Sequence, residues 1–530
     1  MPETPTFASA AVAAPHHLAS ETGRAVLEAG GNALEAMVAM AATIAVVYPH
    51  MNGIGGDGFW LVREPSGKVH AIEACGPAGA KATIKRYRDK GFETIHPRGP
   101  DAALTVAGAI GGWQAALALA ERLGGRIPLK DLLHEAVAFA RDGYPISHSE
   151  ARYWPKDFDS LLTAPGFAET FRASKEPLTQ GAIRKPGKLG DTLAHLMMAG
   201  LDDFYRGDIA RENAADLDRL GSPVTRADME AYRAVMREAL SITLPDCTVY
   251  NFPPPTQGLA SLLILGMFEH LKVEKAESFA FHHGLIEATK RAFAIRDRVV
   301  TDPAFATHDP AQFLTEAVFA REAAKIDMKR AAAYPLKEGD GDTIWMGAID
   351  GSGLAVSYIQ SVYWEYGSGC VLPSTGILWQ NRGVAFSLDE KAVNPLQPGR
   401  KPFHTLNPAL AVFGDGRVVS YGTMGGDGQP QFQAQVFSRY RMGAGVADAV
   451  DAPRWLFGRT WGTSSTSLKT ENRLDHVLLA RLAAAGHMVE EFSEPYADAF
   501  GHAGLLVKHP KDGRVEATHD PRSDGAALGL

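Results

Sequence analysis

Hydrophobic positions follow two different periods along the chain, and the change between them comes near residue 342. Residues 33–47 are apolar at nearly every position. Asn32 with Glu35 three residues later forms a capping-box pattern ahead of them, which predicts a helix from Asn32 to about Val47. A helix apolar all round its circumference belongs between layers, not on a surface. A glycine-rich break, Gly53-Ile-Gly-Gly-Asp-Gly58, separates it from two short apolar runs, 59–63 and 69–72. These flank a Pro-Ser-Gly turn and read as a hairpin. Between Asp101 and Asp342 the pattern is mainly helical, with amphipathic runs at 129–142, 191–205 and 279–297. Residues 253–258 (PPPTQG) form a rigid turn leading into another apolar helix. Beyond Asp342, residues 343–350, 353–362 and 409–413 read as strands with glycine-rich turns between them, and 431–440 as a helix. Strands on both sides of a helix-rich middle predict a layered α+β fold, sheets inside and helices outside. Residues 331–341 (AAAYPLKEGDG) read as an exposed linker.

Composition narrows the function classes. The chain has 530 residues, 45% hydrophobic and 22% charged, which is globular and supplies a large core. The net charge of −8 gives no basic footprint for nucleic acid. The longest apolar stretch, 33–48, is too short to span a bilayer and contains Glu35. The first fourteen residues lack a basic region and carry Glu3, so they make a poor signal peptide. Cys75, Cys247 and Cys370 lie far apart, with no spacing for a disulfide framework or a zinc site. The expectation is a cytoplasmic protein acting on a small molecule, without nucleic-acid or membrane partners.

The candidate chemistry sits at the end of the linker. A flexible acidic segment runs straight into Asp342-Thr343 and then into a strand, an arrangement suited to intramolecular cleavage. The Thr343 hydroxyl can bend back onto the Asp342 carbonyl, and hydrolysis after the N→O acyl shift would free a new α-amine. Such an amine titrates near 8 and can serve as base for the hydroxyl of the same residue. Taken alone, Asp-Thr opening a strand is the more ordinary meaning. Gly53-x-Gly55-x-x-Gly58 fits a dinucleotide fingerprint in spelling but follows a helix and precedes a strand, the reverse of the required order. His16-His17 and His282-His283 lack carboxylate or cysteine partners at ligand spacing and read as surface or capping residues, so no metal is expected. Glu287 and Arg291 have the spacing of a structural ion pair on a helix.

Thr343 to Asp350 followed by Gly353-Leu-Ala-Val356 resembles the start of the small subunit in the gamma-glutamyltransferase family. Residues 53–59 (GIGGDGF), 253–258 (PPPTQG), 287–302 (EATKRAFAIRDRVVTD), 425–430 (GGDGQP) and 520–526 (DPRSDGA) resemble further motifs of that family, in its order. The resemblance implies the four-layer αββα sandwich of the N-terminal-nucleophile hydrolases. It also implies self-cleavage into a large subunit, 1–342, and a small one, 343–530, that together form one composite domain and can pair into a dimer. It makes Thr343 the nucleophile, Ser361 a supporting hydroxyl, and Gly425 and Gly426 the backbone donors to the oxyanion. It calls for no cofactor.

The chain also departs from the family pattern. Cys75, or Glu73 under a shift of two residues, stands where the substrate's α-carboxylate should meet an arginine, and Ala385 stands where its α-amine should meet an acid. Tyr363 replaces an asparagine, and His404-Thr405 replaces a serine pair. These changes, with residues 361–367 (SVYWEYG) and 402–407 (PFHTLN), resemble the oxamate amidohydrolase branch of the family. That resemblance implies a pocket of Tyr363, Arg382, His404 and Thr405, with Arg382 as a fork for the carboxylate of a small amide. The alternatives are a gamma-glutamyl hydrolase or transpeptidase acting on glutathione-like substrates, and a non-catalytic binding scaffold.

Overall fold

The computed structural model describes residues 3–153, 158–172, 176–333, 342–458 and 467–530. Among these residues two seven-stranded antiparallel sheets dominate. The first runs Ala526–Gly529, Ala11–Ala14, Asp342–Ile349, Ala355–Tyr363, Asp57–Arg63, Val69–Ala74, Val235–Arg237. The second runs Thr6–Phe7, Val515–Thr518, Ala503–Lys508, Val418–Thr423, Ala409–Phe413, Cys247–Asn251, Leu240–Thr243.

Among the described residues, strand alternation sends the side chains of the two sheets into the three largest cores. Phe59 and Leu61 point between the sheets, where they meet Trp345, Ile359, Leu410 and Leu506. Trp60 and Val62 point the other way, into a core shared with the helix Ala33–Val47. Val249, Ala411, Val419 and Val507 face the helices Gly258–His270, Phe279–Val299 and Gln429–Arg441. The result is the expected α+β sandwich of helix, sheet, sheet and helix.

The helix Ala33–Val47 is buried at every residue, as its uniform apolarity requires, and both halves of its capping box form. Asp350, in the turn after the strand that begins at Asp342, accepts a hydrogen bond from the Ala33 N–H at 3.0 Å, so the helix start is tied to that strand. Strands from both sides of the Asp342–Thr343 bond occupy both sheets; Asp342–Ile349 itself lies between Ala11–Ala14 and Ala355–Tyr363. Neither segment could complete either sheet alone.

Two predicted helices are interrupted. Residues 129–142 form Leu129–Leu132 and His134–Asp142. Residues 191–205 end one helix at Ala199 and resume at Asp203, because Gly200 adopts φ +95°, outside the helical region. Of the predicted linker, residues 334–341 lie outside the described residues.

Candidate active site

Thr343 sits at a β-bulge. Asp342 pairs with Tyr363 and Ile344 with Gln360, so Ser361 and Val362 together face Thr343. The bulge brings the expected nucleophile against the expected supporting hydroxyl. Thr343 and Ser361 are both buried. Gln429 Nε2 lies 3.4 Å from Thr343 Oγ1, at the outer limit of a hydrogen bond, and its Oε1 accepts from the Asn407 N–H at 3.3 Å. The Ser361 hydroxyl accepts from the Tyr363 N–H at 2.7 Å. Tyr363 is held at φ +83°, a conformation that costs a bulky residue about 1–3 kcal/mol and is found where function demands it. The glycine-rich turn before Asp57 explains the close approach here: a Cβ on Gly56 would lie 2.1 Å from the Ser361 carbonyl oxygen.

Gly425 and Gly426 both have positive φ, +117° and +52°, and lead through a short 3₁₀ turn into the helix Gln429–Arg441. Their N–H groups therefore lie at the positive end of that helix, a suitable place for developing negative charge. Gln257 anchors this loop. Its Nε2 donates to the Gly426 carbonyl at 2.8 Å and to the Thr405 carbonyl at 2.9 Å. Arg296 donates to Gln257 Oε1 at 2.8 Å and to Asp427 at 2.9 Å. Because arginine can only donate, it fixes which end of the Gln257 amide faces the two carbonyls. Gln257, Arg296, Asp427 and Gln429 were not assigned as site residues from sequence, although each lies within one of the quoted motifs.

Arg382, Tyr363, His404 and Thr405 come together. The Arg382 guanidinium lies 3.8 Å from the centre of the Tyr363 ring and donates to Thr405 Oγ1 at 3.3 Å. Its Nη2 has no hydrogen-bond partner, and burial pulls its pKa down to about 10. His404 is fully buried with both ring nitrogens unpartnered, and burial, reinforced by Arg382 and Lys401, holds it well below the usual histidine range. Its Nε2 lies 3.7 Å from Asp57 Oδ2.

Asp57 was not anticipated as a site residue. Its Oδ1 accepts from the N–H groups of Gly76 (3.2 Å) and Gly108 (3.0 Å) and from Gln380 Nε2 (3.0 Å), while Oδ2 accepts nothing. Burial raises its pKa to about 7 against the opposing pull of those bonds and of Arg382. The two positions aligned with a family arginine supply no cation. Cys75 is buried with its thiol pushed up by burial, and Glu73 is paired with Arg237 at 3.0 Å and with Lys401. Ala385 closes the short 3₁₀ turn that Arg382 opens.

Two further expectations differ from the structure. His16 is a helix cap, but His282 and His283 are buried rather than on the surface. His283 Nδ1 lies 2.9 Å from His487 Nε2, and with Glu287 these residues place one ligand atom each within 4.8 Å of one another. Glu287 pairs with Lys290 at 2.7 Å, however, and that ammonium occupies the carboxylate a cation would need. Arg291 pairs with Glu322, not with Glu287, because the latter is taken.

A solved structure described as cephalosporin acylase from Bacillus halodurans matches with a TM-score of 0.91 and 30% identity, covering 100% of this chain and 97% of that one. The fold is that of the N-terminal-nucleophile hydrolases, and the class is that of amide-cleaving hydrolases. The model of the gamma-glutamyltranspeptidase family matches residues 19–530, and the chain belongs to that family. It is 49% identical, over 97% of both chains, to the oxamate amidohydrolase proenzyme of Klebsiella pneumoniae. It is 38% identical, over 98% of both, to a glutathione hydrolase-like proenzyme of Bacillus subtilis. Among the described residues no helix is long and apolar enough to cross a membrane.

Proposed function

We propose that this protein cleaves itself before Thr343 and then hydrolyses a small anionic amide, oxamate or a close analogue, to the acid and ammonia. The observation that carries the reading is the buried Arg382, stacked on Tyr363 and bonded to Thr405 Oγ1, with its Nη2 left without a hydrogen-bond partner. A substrate with one carboxylate and no ammonium needs one such cation. The resemblance to the oxamate amidohydrolase proenzyme supports the same choice.

In this mechanism Thr343 Oγ attacks the amide carbonyl while the Thr343 α-amine takes the hydroxyl proton. The Gly425 and Gly426 N–H groups stabilise the oxyanion, and Ser361 and Gln429 orient the nucleophile. The α-amine passes its proton to the departing nitrogen, ammonia leaves, and water attacks the Thr343 ester to free the acid. A glutamyl substrate would bring an ammonium as well, and Ala385 offers it no acid. The discriminating experiment compares ammonia release from a panel of short acid amides with cleavage of a gamma-glutamyl anilide. The reading requires the first to exceed the second by orders of magnitude. It fails if the anilide is cleaved as fast and no short acid amide yields ammonia.

A further inference from the structure

We propose that Asp57 is a further substrate-binding residue of this pocket: with Arg382 and His404 it receives the substrate's carboxylate, and the Asp57–His404 pair holds one proton while the substrate is bound. The inference rests on the acid-amide reading above and adds what that reading leaves open, namely how a second carboxylate can lie beside the substrate's own.

Asp57 Oδ2, both ring nitrogens of His404 and Arg382 Nη2 are buried polar atoms without hydrogen-bond partners. They come from three distant segments: the start of the strand Asp57–Arg63, the 402–407 stretch and the 3₁₀ turn Arg382–Ala385. Buried polar atoms are nearly always paired, so such a concentration marks the place a ligand completes. Oδ2 shares none of the three donors that hold Oδ1 and lies 3.7 Å from His404 Nε2. Arg382 is near enough for its charge to act on both.

A substrate carboxylate at Arg382 neutralises that guanidinium. An ionised Asp57 would then be a buried anion in excess beside it, which a low-dielectric site strongly disfavours. A proton taken from solvent, held on Asp57 Oδ2 or on His404, removes the excess. The neighbouring groups do not compete for it. Cys75, Tyr205, Tyr232 and Tyr358 are kept neutral by burial, and Glu73 is paired between Arg237 and Lys401. Lys401 also takes part with Asp302, which accepts from its backbone N–H. Burial already raises Asp57 to about 7, so the proton is available at neutral pH. As a neutral acid, Asp57 donates a hydrogen bond to the carboxylate or its adjoining carbonyl.

The test uses the processed enzyme and pyruvate, the isostere of oxamate in which a methyl group replaces the amino group and no amide can be cleaved. Calorimetric titration at pH 8 in two buffers of different ionisation enthalpy counts the protons bound. Wild type should take up about one more proton per pyruvate than Asp57→Asn, whose amide can accept from the same three donors. With Asp57 titrating near 7, wild-type affinity should fall roughly fifty-fold between pH 7 and 9, and the variant should lack that component. The comparison cancels the Thr343 α-amine, which titrates in the same range. Equal proton counts, or failure of wild type to bind pyruvate, would overturn the proposal. Asp57-dependent proton uptake without ammonia release from oxamate would uphold the proposal and sink the substrate reading instead. Folding of the variant is checked by its cleavage into two pieces, and, independently of the variant, binding of pyruvate to wild type with no proton uptake would overturn the proposal.

Discussion

Replacing Arg382 with methionine should weaken the enzyme and leave the protein as stable as before or more so. The guanidinium is fully buried, and burial lowers its pKa from 12.5 to about 10. At about 1.4 kcal/mol per pH unit, that amounts to roughly 3 kcal/mol against folding with the charge present. The sign follows from the direction: a cation whose folded pKa is depressed opposes folding in full below about pH 10, and the penalty fades only as pH rises toward its unfolded value. Stacking on Tyr363 and the bond to Thr405 offset about 1–2 kcal/mol of it. Methionine fills most of the volume without a charge, so the urea midpoint should stay level or rise by the equivalent of about 1–2 kcal/mol. Leaving the substrate carboxylate without its cation costs about 2–5 kcal/mol, so kcat/KM for a short acid amide should fall about thirty- to several thousand-fold, mainly through KM. Urea denaturation and steady-state ammonia assays read the two effects separately. A clear drop in the midpoint, or an unchanged KM, would refute the reasoning, because it would mean that Arg382 holds the fold rather than the substrate.

Other substitutions should separate the remaining parts of the site. Gly425→Val places a β-branched residue at φ +117° with its Cβ 2.9 Å from Phe432. It should lower kcat about a hundred- to a thousand-fold with a smaller change in KM, measured on whatever fraction is processed. Gln257→Glu keeps the partner of Arg296 but sets an acceptor oxygen against the Thr405 and Gly426 carbonyls, so kcat should fall about ten-fold or more and the unfolding midpoint should drop by the equivalent of about 1–3 kcal/mol. Asp520 works against burial, but Arg454 (2.5 Å) and Arg522 (2.9 Å) hold its carboxyl far below the usual range. It therefore stabilises the fold above pH about 4 and loses that contribution as pH falls further. Asp520→Asn should cost about 3–5 kcal/mol at pH 7, and urea midpoints of the two proteins should converge in acid.

The elements legible in the sequence are those whose burial is one-sided or whose caps are spelled out. The capping box at Asn32, the hairpin after Gly58 and the strands on either side of Gly353 are of this kind. Val418–Thr423 and Ala503–Lys508 were missed as strands because they lie inside the sandwich. The first is buried at every residue, so neither offers the polar–apolar alternation a half-buried strand displays. The grouping of Tyr363, Arg382, His404 and Thr405 was legible through departures from the family pattern. Asp57 was not, because its meaning depends on donors and on a histidine up to some 350 residues away, which only the packed sheets bring to it. The predicted Glu287–Arg291 pair failed for a similar reason: helical spacing permits it, but Lys290 and Glu322 are better placed.

The central claim is that Thr343, once N-terminal, carries the acyl group of a short acid amide. Mass spectrometry of the processed protein, acid-quenched during turnover of oxamate, tests this directly. The account predicts two pieces, residues 1–342 and 343–530, with the smaller one bearing a single oxalyl group on its first residue, and an uncut, unacylated chain for Thr343→Ala. Full ammonia release by an uncut chain, or an oxalyl group found on the larger piece, would contradict it.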